Sequence, residues 1–145
     1  MTRLLAAVAL LAMTACAGSP AAPAALPACG HPPSPAAQPP PDGALLPPGT
    51  TLQAVRDQGA RVQINAYTQS TPDGVEQWIH DRDDLEVDAV HRDGHQTELL
   101  VTGGTWRTYV SVRGVCADGS LMAQVIAPAD ADVALPQPGQ KGNGS

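Results

Sequence analysis

Short alternating apolar runs, glycine-bearing turns between them, and one amphipathic stretch behind a Thr-Pro-Asp start predict a small α+β fold. The expected architecture is an antiparallel sheet of about six strands, in ββαββββ order, with one helix packed on one face. The folded part is expected over residues 49–128, near the size at which a single core becomes thin.

The first two strands are read at Leu52–Arg56 and Ala60–Thr68, joined through Asp57-Gln58-Gly59. In the second, Val62, Ile64 and Ala66 share one face, and Arg61, Gln63, Asn65 and Tyr67 share the other. The helix starts where Thr71 fits the N-cap, Pro72 the first helical position and Asp73 the positive end of the dipole. Val75, Trp78 and Ile79 recur at helical spacing, and the pattern ends near Arg82-Asp83-Asp84. Gly74 costs about 1 kcal/mol relative to Ala inside a helix, so the helix needs a sheet to pack on.

Four strands follow as an antiparallel meander: Leu85–Arg92, His95–Thr102, Thr105–Val115 and Leu121–Ala127. Their turns are read at Asp93-Gly94, Gly103-Gly104 and Asp118-Gly119. A strict two-residue turn at Asp93-Gly94 separates Leu85, Val87 and Ala89 from Leu99 and Val101, which one-sided burial forbids. A three-residue Arg92-Asp93-Gly94 loop with a G1 bulge restores one face. Gly103-Gly104 then adds Trp106, Val110 and Val112 to it.

The chain of 145 residues carries net charge −6, with seven Arg and one Lys, and lacks the clustered cations that bind nucleic acid. Fifteen Pro and fourteen Gly exclude a helical bundle, and eleven of the Pro lie within residues 20–48. Residues 16–48 are therefore read as a semi-rigid spacer of polyproline type. Residues 129–145 are read as a disordered tail, because nothing aromatic occurs there to repay ordering.

The amino terminus reads as a secretory signal over residues 1–15: one Arg, then the apolar run Leu4–Met13, too short to span a bilayer. Its end, Met13-Thr14-Ala15-Cys16, resembles the lipobox of bacterial lipoproteins. The resemblance covers about twenty residues and departs from the usual pattern at Met13, where Leu is commoner. It implies cleavage before Cys16, a diacylglyceryl thioether on Cys16 and acylation of the new amino terminus. The implied partner is thus the lipid bilayer, reached through a covalent anchor. Two or three acyl chains hold stably, at about 0.8 kcal/mol per buried CH₂. The Ala/Pro/Gly bias resembles high-GC bacteria such as actinobacteria, whose small envelope lipoproteins are often uncharacterised. The anchor then lies in the outer leaflet of the cytoplasmic membrane, or in the outer membrane of a diderm host.

With Cys16 lipidated, Cys29 and Cys116 remain as an even pair in an exported chain. A disulfide between them is the favoured reading, and two separate thiols are the alternative.

Two constellations carry possible chemistry. His91, Asp93 and His95 lie around one turn, with the two imidazoles facing each other, and together could ligate zinc or copper or serve a hydrolase. A solvated polar loop is the plainer reading. The second sheet face presents Tyr67, Arg107, Tyr109 and Arg113, residue types that anchor binding surfaces. On the same face Asp88 is expected opposite Glu98. No nucleotide, hydrolase or metalloprotease motif occurs, and no cofactor is implied. The reading that results is a non-enzymatic binding module of the cell envelope with an envelope protein as partner. The alternatives are the His91/Asp93/His95 metal site and a subunit whose edge strand pairs with a larger protein.

Overall fold

The computed structural model describes residues 22–140, so the signal segment and Cys16 lie outside the described residues. Seven elements follow one another: β1 (Thr50–Asp57), β2 (Val62–Thr68), α1 (Pro72–His80), β3 (Glu86–Asp93), β4 (Gln96–Gly103), β5 (Trp106–Cys116) and β6 (Gly119–Pro128). The order is the expected ββαββββ. All neighbours are antiparallel in one six-stranded sheet, β1-β2-β6-β5-β4-β3. The last four strands form the meander, and the first hairpin joins its β6 edge.

The helix begins as its sequence dictates. Thr71 Oγ1 accepts the Gly74 N–H at 3.1 Å, and Pro72 occupies the first turn, where a missing N–H costs nothing. It stops at His80, short of Arg82–Asp84, where the Asp81 N–H caps onto the Gln77 carbonyl. Arg82 turns back over the Trp78 ring, 5.2 Å from its centroid, and pairs with Asp84. Val75 and Ile79 enter the core against Leu99, Val101, Val110, Val112 and Met122.

The meander reaches one-sided burial by a different route from the bulged turn. The β3–β4 loop is Gly94-His95, with Gly94 at φ +59°, the first-position glycine of a type II′ turn. Asp93 pairs with Gln96, and Val90 lies opposite Leu99. The required slip occurs further along, where Asp88 is the extra residue of a bulge and Val87 comes opposite Val101. Val87 and Val90 thus join the core, while Ala89 turns to the second face beside Leu100. Asp88 does not oppose Glu98; it accepts the Thr102 hydroxyl at 2.7 Å.

The next turn is likewise displaced by one residue, to Gly104-Thr105, so that Gly103 pairs with Trp106. Glycine is needed at 103 for space, since a Cβ there would stand 2.7 Å from the Trp106 ring. The β5–β6 loop is Ala117-Asp118 rather than Asp118-Gly119.

The proline-rich segment is not a free spacer over its described part. Leu45 is 1% exposed and belongs to the main core, and Ala36, Ala44 and Leu46 pack against Leu52, Ile64 and Ile126. Helix α1 covers the β3–β5 part of the first sheet face, and this segment covers the β1, β2 and β6 part. Proline excludes it from strand and helix, so its polar backbone needs side-chain partners. Gln124, fully buried on β6, supplies two: its Oε1 accepts the Leu45 N–H at 2.9 Å, and its Nε2 donates to the Leu45 carbonyl at 2.6 Å. Cys29 and Cys116 are joined by a disulfide, which fastens the segment at its far end.

Candidate functional site

The second sheet face is where β5 aligns Arg107, Tyr109, Ser111 and Arg113 at two-residue spacing. The C-terminal segment covers part of it. Val133 and Leu135 pack over Leu100, Ala127, Ala89, Tyr109 and Val125, so residues 129–140 are ordered onto the sheet rather than forming a disordered tail. The signal for this was the alternation of Val133 and Leu135, which matches the pleat beneath.

Glu98 ties segment and sheet together. Its carboxylate accepts the Tyr109 hydroxyl at 2.8 Å, the Gln96 amide at 3.1 Å and the Gly139 N–H at 2.7 Å. Burial pushes the Tyr109 phenol above its ordinary range, and the neighbouring Glu98 charge pushes the same way. Tyr109 is therefore part of a closed network.

Tyr67 is also withdrawn. It is 8% exposed, with its hydroxyl 3.7 Å from Cys116 Sγ, which as a disulfide sulfur can only accept. The expectation that it lies open on the binding face is corrected: the disulfide end of the sheet encloses it. Arg107 is half-buried near the β4–β5 end, whereas Arg113 is exposed near the other. Neither forms an ion pair among the described residues.

What remains open is a shallow depression of about 380 Å³ at the Arg113 end. Asn65, Gln96, Ser111 and Arg113 line it, with Leu121, the exposed large apolar side chain of the described residues, at its margin. It offers a cation, amides and a hydroxyl beside a small apolar floor, a surface for polar recognition without an evident nucleophile–base pair. A second concavity, about 520 Å³, lies at the opposite end of the sheet around Trp106, Pro41, Arg61, Ile126 and Pro128.

His91, Asp93 and His95 do not converge. His91 and Asp93 sit on β3, opposite Glu98 and Gln96, and the His91 ring lies beside Gly139. His95 is the second turn residue, and its Nε2–H donates to the Ala24 carbonyl at 2.8 Å. The expected facing of the two imidazoles belonged to the three-residue loop, and the Gly94-His95 turn removes it. Among the described residues no three His, Cys, Asp or Glu side chains are grouped to hold a metal.

The buried charge among the described residues serves the helix instead. Glu76, 6% exposed, receives the Arg92 guanidinium through two hydrogen bonds, one of them at 2.8 Å, and His80 lies 3.6 Å away. This pair joins α1 to β3 and raises the Arg92 pKa further. The sequence carries no signal for this pair, because Glu76 and Arg92 lie 16 residues apart and only the packing of α1 on β3 brings them together.

No protein-family model matches the chain, and no curated protein or solved structure matches it.

Proposed function

We propose that this protein is a lipid-anchored, non-enzymatic binding module of the bacterial cell envelope. The observation that carries the reading is Met13-Thr14-Ala15-Cys16 directly behind a short apolar run. A Cys29–Cys116 disulfide supports export, because cytosolic thiols are kept reduced. Removal of Arg3 with the leader leaves a mature charge of −7 (seven cations against fourteen acids), which disfavours adhesion to anionic lipids without an anchor. The docking surface is the open half of the second face, with Arg113 as the charged contact and Asn65, Gln96 and Ser111 as polar ones. The partner is an envelope protein presenting a carboxylate to Arg113.

Metabolic labelling with a fatty-acid analogue tests the anchor. The native chain is expected to incorporate label and fractionate with envelopes through a high-salt wash, and Cys16→Ser to do neither. Unmodified native chain in the culture fluid would remove the reading. Cross-linking in intact envelopes tests the module: a specific neighbour is expected whose yield falls with Arg113→Ala.

A further inference from the structure

The chain enters the folded domain at one end of the sheet and is held there four times. His95 Nε2–H donates to the Ala24 carbonyl at 2.8 Å, and the Ala117 N–H donates to the Pro27 carbonyl at 2.8 Å. The Asp118 N–H reaches Cys29 Sγ at 3.4 Å, and the disulfide closes on Cys116. Ala25 and Leu26 lie in a groove made by the start of α1, the β3–β4 turn and the end of β5. The Trp106 concavity is at the other end, by the β1–β2 and β4–β5 turns.

We infer that the disulfide end of the domain faces the bilayer at short range, and that the Trp106 end is presented outward. This rests on the lipid anchor proposed above. Between Cys16 and Ala24, the first held residue among those described, only Ala17–Pro23 intervene. Eight backbone links span at most about 28 Å. Sheet length exceeds that reach: β5 has 11 residues, about 35 Å at strand rise. A domain attached at one end by so short a chain cannot readily invert. Exposed Asp73, Asp93 and Asp118 share this end with exposed Arg113 and with Arg92, which Glu76 holds, so no cationic excess draws the end onto an anionic headgroup layer.

The disulfide sets the reach. Without it, the remaining bonds contribute about 1 kcal/mol each. Ordering twelve residues (24–35) costs about 1 kcal/mol or more per residue, less at the prolines. The segment then detaches as far as Ala36, whose N–H is bound to the Leu52 carbonyl at 2.7 Å. The limit grows to about 70 Å over twenty links.

The test uses the lipidated mature protein on phosphatidylcholine–phosphatidylglycerol vesicles carrying a headgroup acceptor dye. Oxidised protein is labelled with a donor on Asp93→Cys or, separately, on Thr105→Cys, positions in or beside the turns at opposite ends of β4. Co-flotation with vesicles reports the anchor, and energy transfer in the floated fraction reports orientation. Transfer is expected to be at least about twofold stronger from position 93 than from 105, given the roughly 25 Å that β4 spans. A flexible Gly/Ser insert of about twelve residues between Ser19 and Pro20 leaves the fold intact and is expected to bring the two sites toward parity. Combined Cys29→Ser and Cys116→Ser is expected to act in the same direction. Equal transfer from the two sites in floated native protein overturns the orientation and leaves the anchor standing. Failure of the native protein to float overturns both. A contrast unchanged by the insert shows that bilayer contact, not tether length, sets the pose, and overturns the inference.

Discussion

Replacing Gln124 with Met removes two hydrogen bonds and little volume. The Leu45 N–H and carbonyl then remain buried, with Leu45 at 1% exposure and no other partner from the side chain at 124. An unsatisfied buried backbone group costs about 1–3 kcal/mol, and two cost about 2–6. Methionine recovers about 1 kcal/mol of apolar burial, so the net loss is about 1–5 kcal/mol. With a urea slope of about 1.5 kcal/mol/M, the midpoint falls by roughly 0.7–3.3 M at constant slope. Amide exchange at Leu45 is expected to accelerate with it. Leu45→Ala alone is expected to cost about 2–5 kcal/mol, and to cost less in the Gln124→Met background because the segment is already loosened. A midpoint shift below about 0.5 M for Gln124→Met, under the expected range, refutes the assignment of this residue as the clamp for the proline-rich segment.

Thr71→Ala is expected to lower stability by about 1 kcal/mol in urea unfolding, because the Gly74 N–H loses its acceptor. Removing the disulfide through Cys29→Ser and Cys116→Ser, across a separation of 87 residues, is expected to cost about 4–5 kcal/mol on the chain-entropy model, read by the same assay. The Tyr109 phenol titrates higher in the folded chain than in the unfolded one, so its contribution is intact below pH ~10 and declines as pH rises further. Alkaline unfolding is accordingly expected to shift to higher pH in Tyr109→Phe, and absorbance titration near the phenolate band follows it. Zinc titration of the oxidised domain is expected to show no saturable sub-micromolar site. Such a site, abolished by His91→Ala with His95→Ala, would overturn the placement of those residues.

Elements were legible where local chemistry decides. Thr71-Pro72-Asp73 announces the helix start, and the alternation of Val62, Ile64 and Ala66 fixes the faces of β2. One-sided burial also required an irregularity in the β3–β4 hairpin. Its position was not legible, because a glycine turn and a mid-strand bulge at Asp88 satisfy the same face constraint. That choice moved Ala89 to the second face and set the two histidines apart. The candidate binding face was only partly legible: β5 alternation found Arg107 and Arg113, but Tyr67 and Tyr109 are closed off by the disulfide and by Glu98 with the tail.

Sequence alone determined the strand and helix order, the pairing preference of the cysteines and the acidic charge, because each follows from local spacing, residue parity or composition. Only the tertiary structure decided what the two proline-bearing flanks do. Composition says that such segments form neither helix nor central strand, and it is silent on whether a sheet face nearby lacks cover. Leu45 fills that gap on one side, bound to Gln124 at a separation of 79 residues, and Leu135 on the other, against Leu100 and Ala127. Long-range burial is a property of where faces meet: the spacing of Val133 and Leu135 shows an apolar face without showing what it meets.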